Sequence, residues 1–265
     1  MDEAIWFVAG LAFGVLGAIG LRLVDRTRSP DGPARVSPES GASLRAELIS
    51  KIGHELKNPI MAIKGLASTG SRLYDSLSDG ERRDLFRTID AEAGRLKLIG
   101  EETSTAMRID AGQLRYDLRE NDVGALVEQV AWRTPVGDHP MAVQAEPGLR
   151  ASVDRTRLSE VVAHLIDNAA KFSPPGAPIS VGVRADGDDV LIEVVDAGPG
   201  IPAEQREAVF ERYGTWRPPG YEATPGAGLG LFIARAHVLA HGGRIEIEGT
   251  PAGGTMLRVR VPVGG

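Results

Sequence analysis

The 265-residue chain contains no cysteine. That absence excludes disulfide staples, cysteine-ligated metal sites and a thiol nucleophile. Aromatic residues are sparse, at 5%, and nowhere do they interleave with a run of Lys or Arg. With a formal net charge of -6 the chain lacks the electrostatic footprint of a nucleic-acid surface, and no nucleic-acid partner is expected. There is no internal repeat, and no Walker A lysine follows the glycine-rich stretch near residue 228. What is present is the balance of a folded protein, 42% hydrophobic and 25% charged, with 33 glycines that favour tight turns and close backbone approaches.

The N-terminus departs from this average. Ala4 to Leu21 is uncharged, and with Leu23 and Val24 it reaches the ~20 residues a helix needs to cross a bilayer. Arg22 can snorkel to the interface. The span opens Met1-Asp2-Glu3 and is followed by Arg22, Arg26 and Arg28, the reverse of a cleaved signal peptide. The positive-inside rule then places everything from Val24 onward in the cytoplasm. The expectation is a transmembrane helix over 1–24, giving a single-pass protein of the cell (inner) membrane with a short N-terminus outside. The three residues before the span leave no room for an outer sensor domain, so an external signal is expected to arrive through the helix or a partner. Gly10 and Gly14 form a GxxxG pair on which two such helices can pack.

Residues 25–42 read as a linker, with three prolines and no apolar periodicity between Arg26 and Gly41. Helical pattern then begins near Ser43. Leu44, Leu48, Ile52, Leu56, Ile60 and Ile63 recur every three or four residues. After a turn signal over Ser76 to Gly80, a second series runs through Leu85, Ile89, Leu96, Ile99 and Met107. Two antiparallel helices, about 43–74 and 80–109, are expected. A lone hairpin cannot bury two apolar stripes, so a homodimer forming a four-helix bundle completes it. Within the first helix, KIGHELKNPI (51–60) sets His54, Glu55 and Asn58 on one arc, so an imidazole, a carboxylate and an amide can converge on one phosphorus atom or water.

Beyond Gly112 the periodicity changes. Short strand-like runs (141–144, 179–184, 190–195, 244–248, 255–261) alternate with helical ones (123–132, 155–171, 203–212, 229–240), an α+β arrangement. Four local signals follow in order. Asn168 and Lys171 share a helix face, which suits a magnesium ligand beside a phosphate-binding ammonium. Val190 to Val195 delivers Asp196 at a strand end, and Gly198, Gly200 and Ile201 follow, where backbone can approach a flat ligand while the carboxylate accepts from an exocyclic amine. Gly226, Gly228, Leu229, Gly230 and Leu231 lead into a helix whose first amides can face a polyphosphate. Thr255 opens the last strand within reach of a base.

Together these motifs resemble the sensor histidine kinases of two-component systems over about Leu44 to Val263. KIGHELKNPI looks like their H box, HLIDNAAKF their N box, DAGPGIP and GAGLGL their glycine boxes, AVFER their F box and GGTMLRVRVP their final strand. The resemblance implies a dimerisation and phosphotransfer hairpin over 43–111 and an ATP-binding α/β sandwich with a mobile lid over 112–265. It implies His54 as phosphoacceptor and a receiver-domain aspartate on a cognate response regulator as the next acceptor. It also implies ATP and Mg2+ as ligands, with Asn168 on the metal, Lys171 offsetting phosphate charge and Asp196 selecting adenine. Phe172 is then a base or lid contact. Glu55 orients the imidazole, which is partly neutral at cell pH given an ordinary pKa of ~6.5. Asn58 sits where the family positions water to hydrolyse the regulator's phosphoaspartate, so phosphatase activity is expected as well. Two positions depart from the pattern. His164 replaces a customary asparagine, and the aromatic-arginine pair after the F box is displaced to Trp216-Arg217, leaving Arg217 to supply the lid's charge. These departures keep open a second reading, a weakly nucleotide-binding phosphatase or dimeric signalling scaffold.

Overall fold

The computed structural model describes the backbone of residues 38–264 except 215 and 223, and side chains from Glu55 onward. The chain divides into Met1–Leu44 and Arg45–Gly265, and the side-chain features below belong to the second unit. The apolar span over residues 4–24 lies outside the described residues; among those described, no helix is long and apolar enough to cross a membrane.

Helix α1 (Pro38–Leu73) and helix α2 (Asp79–Asp110) form an antiparallel hairpin. Helix α1 begins earlier than its apolar pattern, because proline is compatible with a helix's first turn. The turn into α2 is fixed by a reciprocal capping box. The Ser78 hydroxyl accepts from the Glu81 amide at 3.3 Å, and a Glu81 carboxylate oxygen accepts from the Ser78 amide at 2.8 Å. One face of α2 is buried at Ile99, Thr103 and Ala106, while Ile60, Met61, Phe86 and Leu98 remain exposed on the hairpin.

The rest is a layer of helices on a mixed sheet. Its elements are β1 (Arg119–Asp122), α3 (Val123–Arg133), β2 (Met141–Ala145), β3 (Arg150–Val153), α4 (Arg155–Phe172), β4 (Ile179–Asp186), β5 (Asp189–Val195), α5 (Gly230–Ala240), β6 (Arg244–Gly249) and β7 (Thr255–Pro262). The main sheet has the order β2-β4-β5-β7-β6, with β2 and β4 parallel and the other pairs antiparallel. Strand β7 alternates buried with half-buried residues along its length, as a strand with one face on a core must. Leu158, Leu165, Ile166, Ile179, Ile192 and Val259 are fully buried between helices and sheet, and each such side chain contributes roughly 1.5–3 kcal/mol. The opposite sheet face carries cross-strand charge pairs, among them Arg258 with Glu193 at 2.7 Å and Arg260 with Asp186 at 2.7 Å.

Two features differ from the sequence reading. The helical run expected over 203–212 is two single turns of 3-10 helix, Ala203–Gln205 and Ala208–Phe210. Arg206 folds back to donate to the Ile201 carbonyl, and the adjacent Val209 and Phe210 both turn into the core, so the segment follows its side chains at the expense of a regular ladder. A separate two-stranded sheet of β1 and β3 was not expected. These strands are four residues long, and REND carries no apolar alternation to signal one.

Candidate functional site

Helix α4 supplies one wall. Leu158, Val161, Val162, Leu165 and Ile166 bury one of its faces, which turns His164, Asn168 and Lys171 toward a cavity of about 330 Å³. Asp154 starts this helix, its carboxylate accepting from the Thr156 and Arg157 amides. Lys171 pairs with Asp167 at 2.5 Å one turn back.

The floor is made where β5 ends and β7 begins. Asp196 is buried, and its Oδ1 accepts from the amides of Gly198 at 2.8 Å and Thr255 at 2.9 Å. Burial pushes its carboxyl above the usual range, opposed by the hydrogen bonds from Thr255 and Gly198. Glycine is required around it for space. A Cβ at Gly198 would come 2.6 Å from the Phe172 carbonyl oxygen, and one at Gly254 would collide with the Asp196 carbonyl oxygen. Gly200 adopts φ +75° close against Gly253.

The remaining wall is the loop from Ile201 to Leu229. Tyr213 holds a positive φ of 59°, and a Cβ at Gly228 would come 2.7 Å from the Gly214 carbonyl oxygen, so the loop and the glycine stretch are packed backbone to backbone. Arg217 ties the two together, donating to the carbonyls of Trp216 at 3.0 Å and Gly226 at 3.2 Å. Its guanidinium lies 5.7 Å from the centre of the Phe172 ring, which also meets Tyr221.

The hairpin closes the cavity. Arg95, Ile99 and Glu102 of α2 line it together with the sandwich residues. Glu102 Oε1 stands 3.7 Å from His164 Nδ1, beyond hydrogen-bond range. Burial pushes the Glu102 carboxyl up to about 7, with Lys171 opposing and Asp167 adding to the shift. Burial likewise holds the His164 imidazole down to about 4, so the ring is neutral at pH 7. On the hairpin, Arg95 donates to Glu55 at 3.3 Å. Burial lowers the Arg217 pKa and the charge of Glu55 opposes that shift, which links α1 electrostatically to the cavity.

Of the residues singled out from sequence, Asn168, Lys171, Phe172, Gly200, Ile201, Arg217, Gly226, Gly228, Gly230, Leu231 and Thr255 line this one cavity. Asp196 and Gly198 stand directly behind Thr255. Leu229 does not line it; it is fully buried in a cluster with Ala106 and Ile233. His54, Glu55 and Asn58 sit on α1; the His54 side chain lies outside the described residues, while Glu55 and Asn58 are outside the lining, with Asn58 exposed. Sequence reasoning missed Arg95 and Glu102. Their one available signal is polarity on an otherwise apolar helical series, and nothing local says what they face.

No group of three or more His, Cys, Asp or Glu that could hold a metal ion occurs among the described residues. Asn168 nevertheless offers a hard amide oxygen to the cavity, which fits a magnesium ion that takes one or two protein ligands and completes its shell from phosphates and water.

The fold and cavity together define an ATPase-type α/β sandwich joined to a histidine-bearing helical hairpin. Comparison with known proteins gives the class a family. Residues 44–112 match the His Kinase A (phospho-acceptor) domain, and residues 153–265 match the Histidine kinase-, DNA gyrase B-, and HSP90-like ATPase family. The signal transduction histidine-protein kinase/phosphatase MprB of Mycolicibacterium vanbaalenii is 31% identical over 94% of this chain and 57% of its own. A solved mycobacterial sensor histidine kinase MprB is 30% identical, covering 55% of this chain and 97% of that one, with TM-score 0.49. The histidine kinase AdeS of Acinetobacter baumannii shares the fold at TM-score 0.59 and 22% identity, over 79% of this chain and 98% of that one. The chain belongs to the sensor histidine kinases of bacterial two-component systems. It spans between 25% and 57% of the length of the curated relatives it matches first.

Proposed function

We propose that this chain is an ATP-dependent protein-histidine kinase that phosphorylates His54 and passes the phosphoryl group to an aspartate of a cognate response regulator. The carrying observation is the cavity itself, in which a helix-borne asparagine and lysine, a buried aspartate behind Thr255 and a glycine-rich helix entry are brought together beside the Glu55-bearing hairpin.

Phosphoryl transfer is chiefly positioning and charge neutralisation. The buried Asp196 carboxylate, fixed by two backbone amides, accepts from the adenine amine and sets the base. Lys171 and Arg217 balance the polyphosphate, and the amides opening α5 add the positive end of a helix. Asn168 would hold Mg2+, which would supply positive charge to offset that of the phosphates. Glu55 orients the imidazole of His54 and takes its proton. Two hairpins pair as a homodimer through the apolar faces left exposed in one chain. Asn58, exposed on the same helix, positions water against the regulator's phosphoaspartate, which gives a phosphatase activity. The apolar segment over 4–24 holds the protein in the membrane as a single N-terminal span.

The presence of Glu102 inside the cavity favours a second reading, a weak nucleotide binder that works chiefly as a phosphatase or scaffold. Incubation with γ-labelled ATP and Mg2+ separates the two. Acid-labile, base-stable label that vanishes in His54→Gln is expected of the kinase, and no label at saturating ATP would leave the second reading. Dephosphorylation of a phosphorylated regulator by Asn58→Ala is expected to slow; an undiminished rate removes Asn58 from the phosphatase step.

A further inference from the structure

The connection between hairpin and sandwich is short, and both of its ends are fastened. Helix α2 ends at Asp110 and strand β1 begins at Arg119. On the hairpin side, the amides of Ala111, Gly112 and Gln113 donate back to carbonyls of the last turn of α2. On the sandwich side, the Tyr116 hydroxyl lies 2.9 Å from Nδ1 of the fully buried His237, and the Asp117 amide donates to Asp154 at 3.0 Å. His237 is itself held by Glu160, 3.0 Å from its Nε2. The Tyr116 ring meets His237 edge-on at 5.7 Å. Between Gln113 and Tyr116 the chain can span only about 11 Å, at roughly 3.6 Å per residue.

The sandwich is therefore tied close to the end of its own α2. Further contacts hold it there: Ala106 clusters with Tyr213, Leu229 and Ile233, and Asp110 pairs with Arg212. The same α2 gives Arg95 and Glu102 to the cavity, and Arg95 is bound to Glu55, the residue after His54.

From this tether we infer that each chain phosphorylates its own His54, the transfer occurring within one protomer of the dimer. The inference rests on the kinase reading above. A ring nitrogen of His54 forms the new bond to the γ-phosphorus, the bond from that phosphorus to the β,γ-bridging oxygen breaks, and ADP leaves with the electron pair. The ring proton passes to Glu55.

Full-length chains carrying two different tags test this, co-expressed and purified through both tags so that only mixed dimers remain. One chain carries His54→Gln and keeps its nucleotide site; the other carries Asp196→Asn and keeps its phosphoacceptor. With γ-labelled ATP held near the concentration that half-saturates wild type, wild-type dimers are expected to take label and the mixed dimers to label no faster than Asp196→Asn homodimers. Labelling of the Asp196→Asn subunit faster in the mixed dimer than in its own homodimer overturns the inference. An unlabelled wild type sinks the kinase reading itself, so the two failures are told apart. A flexible Gly/Ser insertion after Gly112, combined with Tyr116→Phe, is expected to restore label to the mixed dimer, which also proves both subunits folded. A mixed dimer that stays dark with the lengthened linker overturns the linker as the cause.

Discussion

Around Asp196 the cavity is shaped by backbone pressed on backbone, whereas around Lys171 and Arg217 it is shaped by long charged side chains. At the first end, Gly198 and Gly254 leave no space for a methyl group and two amides fix one carboxylate oxygen. At the second, a lysine shared with Asp167, an arginine anchored on loop carbonyls, and a partly buried His164 and Glu102 divide the charge. Under the proposed kinase reading the difference divides the site's work: a flat base would demand a fixed shape, and a polyphosphate would demand charge that can be rearranged as the group is transferred.

This contrast is broken most severely at the shaped end. Gly198→Ala forces a methyl group against the Phe172 carbonyl; the free protein relieves this by shifting the Asp196 turn, and returning that turn to the binding geometry costs ~3 kcal/mol, more than about 100-fold in ATP affinity. Calorimetric titration would register it, and an unchanged affinity would show the base end to be pliable.

Next in size is Glu102→Gln, read as stability against pH. The folded-state carboxyl is raised to about 7 from 4.5, so the folded state binds the extra proton and wild-type stability falls as pH rises from about 4.5 through 7. Glutamine removes that cost. The variant should match wild type near pH 4.5 and exceed it at pH 8 by on the order of 2–3 kcal/mol. Urea unfolding at both pH values checks this, and a difference of opposite sign would mean that Glu102 is paired and stabilised as an anion.

Asp196→Asn comes third, replacing the charge-assisted acceptor proposed for the base. About 2 kcal/mol, roughly 30-fold, is expected for adenosine and ATP alike. Smallest is Arg217→Ala, at about 1 kcal/mol or fivefold for ATP, with adenosine binding unchanged. Equal losses for the two ligands would erase the distinction between the ends.

Much of the shaped end was legible in the sequence because it is local. Asp196, Gly198 and Gly200 lie within five residues of one strand end, and the helical periodicity ahead of Asn168 and Lys171 gave their shared face. The hairpin was legible for the same reason, since apolar spacing and the Ser78 turn are short-range signals. The charged end was legible only in part. Lys171 and Arg217 stood out, but Arg95 and Glu102 acquire meaning through a packing that brings Arg95 to Glu55, 40 positions away, and Glu102 to His164, 62 positions away. The half-buried Tyr116–His237 contact spans 121 positions. An isolated histidine in a helix carries no mark of such a partner. Nor could spacing show that Leu229, in the middle of a glycine box, turns away from the cavity into the core.

The most direct test of the central claim is to map the phosphoryl group after incubation with ATP and Mg2+. Tryptic cleavage after Lys51 and Lys57 releases Ile52 to Lys57 as one peptide. A single acid-labile phosphate on His54 within that peptide is the predicted result. Label confined to any other residue, or none at saturating ATP, would contradict it.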